Sequence, residues 1–413
     1  MSIWRIGMNN ERQVHDSPFN DWALRDLKGS LPRNVIINDC TLREAQQWPG
    51  IEFGVEDKIR FGRVLAEAGV PQIQVGYPGR SPADCQVATV LAAETPLQIE
   101  SVILAYYPDW KTDLKTSRTS GCQILNVVLA TSDYRLNYVL DITRDDLLAQ
   151  VAAVVSACAD TDAVVAFTAA DGTRTDFSFL MDVLGTAEAH GATRLYVADT
   201  VGAAIPGGVR SLFQAIARET SARLGAHFHN DLGLALANCL TAVEAGATIV
   251  DVTLDGIGDR SGNPSLDEVS VVLELLYDVS TGIDLKQLVP IADMYREFTG
   301  VPPGPTKPLT GLTSFSYKLD SHVDAVMKHS SVFEPISPTL IGAKRQIVIG
   351  AYSGTRALEY KLKELQIPYH ADQLGLMLEK TVTMAQRLGR ALTDTELREI
   401  LGGALPDPRG GNL

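Results

Sequence analysis

The sequence predicts an eight-stranded α/β barrel, a TIM barrel, followed by a smaller, mainly helical C-terminal region. Three observations support this prediction. Short β-branched runs alternate with amphipathic stretches from about residue 34 to 275, eight such runs can be counted, and the alternation stops near residue 280. Eight strand and helix units in about 250 residues match the usual size of a closed parallel barrel. We therefore assign the barrel to residues 34–285, after an N-terminal extension over residues 1–33.

The eight β-branched runs are the predicted strands, and the stretches between them have the pattern of helices. Val55–Ala68 is one predicted helix because Gly69 follows it, and glycine commonly caps a helix C-terminus. Asp176–His190 precedes Gly191 in the same way. In chain order the predicted strands are Val35–Asp39, Gln72–Val75, Gln98–Ala105, Ile124–Ala130, Ala163–Phe167, Arg194–Ala198, Leu224–His229 and Ile249–Thr253.

A proline-rich segment marks the end of the barrel. Pro302-Pro303-Gly304-Pro305 cannot continue a strand or a helix, and we predict a linker over residues 286–308. Beyond it a C-terminal subdomain is predicted over residues 309–413. Its predicted helices are Gly354–Leu365, Ala371–Leu388 and Thr393–Leu401.

Composition restricts the class of protein. The 413 residues are 45% hydrophobic and 21% charged, which is enough to bury a large core. A net charge of −14 argues against a nucleic-acid partner, because phosphate binding needs clustered Lys and Arg. No apolar run approaches the roughly 18 residues of a membrane span, and no signal peptide is evident, so we expect a cytoplasmic protein without a membrane partner. The five cysteines are scattered, as is typical of reduced thiols.

The chemistry is expected to centre on His227-Phe228-His229, at the carboxyl end of the seventh predicted strand. Alternate strand residues point the same way, so both imidazoles face one point at the catalytic end of such a barrel. They could bind a metal, or they could simply be satisfied by hydrogen bonds. Asp39, at the end of the first strand, would add a carboxylate oxygen, although it could equally cap the next turn. One oxygen and two nitrogens favour Mn, Zn, Fe or Co over Ca or Mg.

Other strand ends also carry polar residues. Arg43 could stabilise an enolate or alkoxide oxygen, or it could pair with Glu44 or another carboxylate. Thr200 could bind a substrate carboxylate, or it could cap the following helix. The glycine-rich segment Gly256–Asn263 allows close approach of backbone to a ligand, and Asn263 could add an amide oxygen to the metal.

Several spaced motifs resemble the DRE-TIM metallolyase family, in its branch of 2-isopropylmalate, homocitrate and citramalate synthases. Asp39–Gln47 with Pro49-Gly50 is similar to the family's D-x-T-L-R-[DE]-x-x-Q-x-x-G. The segment His227–Asn238 is similar to H-x-H-N-D-x-G-x-A-x-A-N, and Gly256–Asn263 is similar to G-x-G-x-R-x-G-N. After the barrel, Ser321–Asp324 is similar to the G-I-H-x-D segment of the synthases. The resemblance covers about residues 34 to 354.

This resemblance implies an acyltransferase that performs a metal-dependent Claisen condensation. An acyl-CoA, usually acetyl-CoA, would be joined to a 2-oxo acid, and thioester hydrolysis would then release a 2-alkylmalate- or homocitrate-like product. The resemblance also implies a divalent metal (Mn, Zn, Mg, Fe or Co) and a homodimer. Two other functions stay open: a metal-dependent carbon-carbon lyase or aldolase, and a catalytically silent paralogue that binds metal and 2-oxo acid.

The resemblance further implies roles for individual residues. His322 would transfer a proton in the partner subunit's site, or it would be a surface or packing histidine. The implied metal ligands are Asp39, His227, His229 and Asn263, the implied catalytic residues are Arg43, Glu44 and His322, and the implied substrate-binding residues are Thr200 and Gln47. Arg174 and Arg135 are further candidate substrate-binding residues of this chain.

Departures from the family pattern affect the substrate. Ala170 stands where relatives carry the Glu of an E-D-x-x-R segment, Phe333 stands where Tyr is usual, and Gln74 replaces a common Glu. Ala170 and Phe333 remove polar groups that relatives use around the substrate and the base, which predicts a specialised 2-oxo acid. Arg135 and Arg174 could each pair with an extra anionic group on it, or form ion pairs at the barrel rim.

Overall fold

A computed structural model describes residue 14, residues 17–27 and 29, and residues 31–402. The chain divides into two compact units. One spans Ser17–Pro303, and the other contains Val14 and the described residues from Gly304 to 402. The division falls inside the proline-rich segment. Among the described residues, no helix combines the length and the apolar content needed to cross a bilayer.

The larger unit is a closed barrel of eight parallel strands that neighbour one another in chain order, with the first pairing the eighth. Each predicted strand overlaps an observed strand, so the predicted barrel is confirmed. The strands are β1 (Ile36–Asp39), β2 (Gln72–Gly76), β3 (Gln98–Leu104), β4 (Ile124–Ala130), β5 (Val164–Ala170), β6 (Arg194–Asp199), β7 (Arg223–Phe228) and β8 (Ile249–Val252).

Helices follow the strands and pack around the barrel. The one that begins at Arg144 shows why these residues fold this way: the Thr143 hydroxyl accepts from the Asp146 N–H at 3.1 Å while the Asp146 carboxylate accepts from the Thr143 N–H at 3.0 Å. The helices of this unit are α1 (Asn20–Leu27), α2 (Thr41–Glu44), α3 (Val55–Glu67), α4 (Pro82–Glu94), α5 (Trp110–Thr119), α6 (Asp133–Arg135), α7 (Arg144–Ala159), α8 (Phe177–Ala189), α9 (Pro206–Glu219), α10 (Ala235–Glu244), α11 (Leu266–Leu275) and α12 (Leu288–Thr299).

Helix α12 lies within the segment predicted as a linker. Its Leu288, Ile291, Ala292 and Tyr295 have helical spacing and are buried. The Tyr295 ring packs 5.8 Å from that of Phe61 on α3. The barrel unit therefore extends beyond the predicted boundary at residue 285.

The barrel interior contains a network of buried polar side chains around Glu100. Its carboxylate accepts hydrogen bonds from Gln72 at 2.7 Å, from Asn126 at 2.9 Å and from Gln74. Burial raises the pKa of Glu100. Such a network is rigid because each side chain is hydrogen-bonded to others, and it fixes the strands whose carboxyl ends carry the site.

The second unit is mainly helical, as predicted. Its two short strands, β9 (Ser316–Tyr317) and β10 (Gln346–Ile347), pair in parallel. Ile347, Ile349, Leu358 and Met377 belong to its buried core. Its helices are α13 (Asp320–Lys328), α14 (Thr355–Glu364), α15 (Leu374–Leu388) and α16 (Asp394–Gly402).

Candidate metal centre

Glu44, His227 and His229 form a buried cluster at the carboxyl end of the barrel. One possible ligand atom from each lies within 4.8 Å of the other two. The Nε2 atom of His227 is 3.3 Å from Nε2 of His229 and 3.3 Å from Oε1 of Glu44. Two donors that are each about 2.1 Å from one metal lie about 3.0 to 3.4 Å apart. The three side chains therefore fit a divalent metal.

Two local features of the chain bring these side chains together. His227 is the penultimate residue of β7, and His229 follows its end, so alternation places both on one side. Glu44 comes from α2, the single helical turn that directly follows β1, in which the Glu44 N–H donates to the Cys40 carbonyl at 2.8 Å. This turn places the Glu44 carboxylate beside the two histidines.

Asp39 is not part of this cluster, although the sequence predicted it as a ligand. Both of its oxygens accept from Thr41, from the backbone N–H at 3.0 Å and from the hydroxyl at 3.0 Å. The preceding residue, Asn38, donates to Asp251 inside the barrel at 2.8 Å, so strand alternation turns Asp39 the other way. Burial raises the pKa of Asp39 to about 7, even though the Thr41 bonds favour its ionised form. Asp39 therefore caps the turn, and Glu44 replaces it as the candidate ligand.

Arg43 contacts the carboxylate of the cluster. Its guanidinium lies 2.6 Å from Glu44 Oε1, and its Nε donates to the side-chain oxygen of Gln74. Gln74 in turn donates to Glu100. Burial opposes ionisation of Glu44, but the Arg43 charge and the two histidines hold its pKa well below the usual range. Glu44 is therefore a carboxylate, as a metal ligand must be.

Asp251 orients His227 and is a site residue that was not predicted from the sequence. Its Oδ2 lies 2.9 Å from His227 Nδ1, which directs Nε2 toward the cluster. Burial alone would lower the pKa of His227, but Asp251 and Glu44 raise it to about 9. Burial and the neighbouring His227 lower the pKa of His229 to about 4. The sequence did contain one indication of its role, because Asp251 is the single charged residue of the otherwise apolar strand Ile249–Val252.

Asn263, predicted as a metal ligand, is hydrogen-bonded to the backbone of β7. Its Nδ2 donates to the Phe228 carbonyl at 3.0 Å, between the two histidines in sequence, and its buried Oδ1 has no hydrogen-bond partner within the described part of the chain. A Cβ at Gly258 would lie 2.0 Å from that oxygen, so any other residue at this position would force the Asn263 side chain to move. Coordination by Asn263 stays a prediction.

A cavity of about 230 Å³ opens onto the cluster. The Thr200 hydroxyl accepts from the Asp171 N–H at 2.8 Å, which leaves its own proton free to donate into the cavity. Gln47 Nε2 lies 3.3 Å from the second oxygen of Glu44. The predicted site residues that line the cavity are Arg43, Glu44, Gln47, Arg135, Thr200, His227 and His229.

Arg174 is not among the cavity-lining residues. It forms two bonds of 2.7 Å with the carboxylate of Asp171, three residues earlier. Asp171 is buried with a φ of 60°, and the ion pair holds it there. The structure therefore places Arg174 in a rim ion pair, and this contact leaves its prediction as a substrate ligand without support.

His322 belongs to the second unit, on α13. Its ring is half-buried, and its centroid lies 4.3 Å from that of Phe333, the residue that stands where relatives carry Tyr. This contact fits either a packing or a positioned histidine. The structure contains one chain, so a role in a partner subunit's site stays a prediction.

Metal binding is expected to release a proton from His227. With a pKa near 9 this histidine is protonated at neutral pH in the metal-free protein, and a metal must displace that proton. The apparent affinity for Mn²⁺ should therefore rise roughly tenfold per pH unit between about pH 6 and 8. Calorimetry in buffers of different ionisation enthalpy measures the released proton. Asp251→Asn should flatten the dependence, and an affinity independent of pH would contradict this account.

Comparison with known proteins places the chain in a family. A model described as HMGL-like matches residues 34–294, and a model described as homocitrate synthase post-HMGL domain-like matches residues 309–389. The chain is 34% identical to homocitrate synthase AksA of Methanopyrus kandleri, over 94% of this chain and 96% of that one. It is also 34% identical to 2-isopropylmalate synthase of Sulfolobus acidocaldarius, over 89% of this chain and 95% of that one.

Solved structures agree on the fold. The HMG-CoA lyase of Bacillus subtilis superposes with a TM-score of 0.59 at 22% identity, over 66% of this chain and 96% of that one. At this identity the likeness concerns the barrel alone. The family models and the relatives together show that the chain belongs to the HMGL-like family, in its branch of homocitrate and 2-isopropylmalate synthases.

Proposed function

We propose that the protein condenses the acetyl group of acetyl-CoA with a 2-oxo acid and hydrolyses the resulting thioester. The observation that carries the proposal is the cluster of Glu44, His227 and His229 beside Arg43 in one cavity. The relatives named as synthases and the match to a homocitrate synthase domain after the barrel favour this reaction over a lyase or a silent paralogue.

The cofactor in this proposal is a divalent metal held by Glu44, His227 and His229. Bound there, it would polarise the carbonyl of the 2-oxo acid and make its carbon more electrophilic. The one carboxylate and two imidazoles suit Mn, Zn, Fe or Co, and Mg remains compatible with the carboxylate.

The surrounding side chains bind the 2-oxo acid and stabilise developing charge. Thr200 donates its free hydroxyl proton to the substrate carboxylate, because its oxygen is already bound by the Asp171 N–H. Arg43 stabilises the negative charge that develops on the substrate oxygen during attack. Its two contacts, to Glu44 and Gln74, fix the guanidinium before substrate arrives, so little reorganisation is needed. Gln47 supports the outer oxygen of Glu44.

The proposed reaction also needs a group that acts as a base. A base must take a proton from the carbon next to the thioester, and the electron pair then forms the new bond to the carbonyl carbon. The π pair of that carbonyl moves to its oxygen, which is then protonated to the hydroxyl of the product. Ala170 lines the cavity without an ionisable side chain. We assign this proton transfer to His322 of the partner subunit in a homodimer, and this assignment rests on the family resemblance.

Mixing two inactive variants tests the assignment of His322. Neither His322→Ala nor Glu44→Ala homodimers should be active, but a mixed dimer would contain one site with both native residues. With random pairing about one quarter of the native thiol release should return after subunit exchange. Size-exclusion chromatography confirms the dimer, and an inactive mixture of exchanged dimers would overturn the assignment.

Thiol release tests the proposed reaction itself. Acetyl-CoA, Mn²⁺ and a panel of 2-oxo acids are incubated with the full-length protein, and free CoA thiol is measured. The proposal expects release that depends on one class of acid and stops when the metal is chelated. Metal-loaded protein that releases no thiol with any acid or acyl donor would contradict it.

A further inference from the structure

Arg135 is a half-buried cation at the cavity wall. Within the described part of the chain its guanidinium forms no hydrogen bond or ion pair with another residue. The other arginines of the cavity are paired: Arg43 with Glu44, and Arg260 with Asp231 at 2.8 Å and with Asp259 at 2.5 Å. The charge of Arg135 is thus available to a ligand.

Other polar side chains of the cavity are engaged with one another. Asn126 donates to Glu100 at 2.9 Å and accepts from the Thr168 hydroxyl at 2.8 Å. Gln74 accepts from Arg43 and donates to Glu100. Away from the metal cluster, Arg135 therefore offers the strongest donors that are not already used.

The backbone that carries Arg135 is fixed to the barrel. The Ser132 hydroxyl, which caps α6, donates to the buried carboxylate of Asp171, and the Thr131 N–H donates to the Ala170 carbonyl at 3.0 Å. Both contacts attach the segment after β4 to the end of β5. Ala170, which lines the cavity, keeps only a methyl group there and leaves room for a ligand beside Arg135.

We infer that the 2-oxo acid carries a second anionic group, a carboxylate or a phosphonate, which Arg135 binds. The inference rests on the proposed function and names its substrate class. A guanidinium binds either group through two parallel hydrogen bonds, whereas a 2-oxo acid with an apolar side chain would leave this half-buried cation unpaired at the cavity wall. Val102, Leu104 and Val128 line the same cavity and provide apolar surface for the carbon chain of the acid.

Calorimetry with matched variants tests the inference without turnover. 2-Oxoglutarate, 3-phosphonopyruvate and 2-oxoisovalerate are titrated into Mn²⁺-loaded native protein, Arg135→Gln and Arg135→Lys. The control is Arg63→Gln, which removes an exposed arginine paired with Glu94. We expect Arg135→Gln to weaken binding of the preferred dianion about 10- to 100-fold, Arg135→Lys to weaken it less, and neither to change binding of 2-oxoisovalerate.

The dianion that loses affinity in Arg135→Gln identifies the second group as carboxylate or phosphonate. Equal affinity of native protein and Arg135→Gln for all three acids would overturn the inference. Thiol release that is faster with 2-oxoisovalerate than with either dianion, and unaffected by Arg135→Gln, would also overturn it while leaving the condensation intact. Conversely, Arg135-dependent binding of a dianion without thiol release would uphold the anion site and count against the condensation.

Discussion

Glu44→Gln is expected to lose metal binding and thiol release, whereas Asp39→Asn is expected to keep the metal. Glu44 contributes the carboxylate of the cluster, and removing a ligand should weaken Mn²⁺ binding more than the roughly 100-fold typical of an outer-shell partner. Asp39 has both oxygens bound by Thr41, and burial favours its neutral form, so an amide replaces it with small effect on the cluster.

The measurement for this pair is metal content after dialysis, together with calorimetric Mn²⁺ titration. Circular dichroism is needed as a control, because removing Glu44 leaves the buried Arg43 without its carboxylate partner. Glu44→Asp is a second control that keeps the charge and should retain weakened binding. Metal lost from folded Asp39→Asn and kept in Glu44→Gln would reverse the assignment.

Arg43→Lys is expected to lower kcat by about 10²- to 10³-fold while the metal remains bound. Lysine keeps the charge, but it lacks the planar fork that contacts Glu44 and Gln74 at the same time. Because Arg43 acts on charge that appears only during the attack, the substrate KM should change much less than kcat. Steady-state kinetics and metal analysis of the same sample separate the two effects.

Gln74→Ala is the matched control for the position of Arg43. It removes the contact to the guanidinium Nε and leaves the contact to Glu44. A smaller loss of kcat than in Arg43→Lys is expected. A rise in KM with native kcat in Arg43→Lys would show that Arg43 only binds substrate, and would contradict its role in stabilising charge.

Much of the fold could be predicted because each strand and helix unit carries its own local signal. The strand Ile124–Ala130 was predicted with its observed bounds, and the His227 and His229 pair was placed correctly at a strand end. The linker prediction missed α12 because the cluster of prolines after residue 301 outweighed the helical spacing of Leu288 to Tyr295. A helix that packs on a neighbouring helix can be found only by its apolar spacing.

Whether Asp39 or Glu44 is the carboxylate ligand depended on which way Asp39, the last residue of β1, points. A parallel strand is buried on both faces, so Ile36–Asp39 has no apolar and polar alternation to reveal its phase. In the folded barrel, Asn38 donates a hydrogen bond to Asp251 in the interior, so the neighbouring Asp39 points to the opposite face. For Arg174, by contrast, a signal was present: Asp171 lies three residues earlier, at the spacing of a local ion pair.

The most direct test of the proposed reaction follows carbon from acetyl-CoA. Full-length protein with Mn²⁺ is incubated with [2-¹³C]acetyl-CoA and the 2-oxo acid that supports thiol release, and the product is examined by NMR. We predict that the label appears in a methylene group bonded to a carbon that carries a hydroxyl, and only when metal is present. Label recovered solely in free acetate would show thioester hydrolysis without carbon-carbon bond formation and would contradict the account.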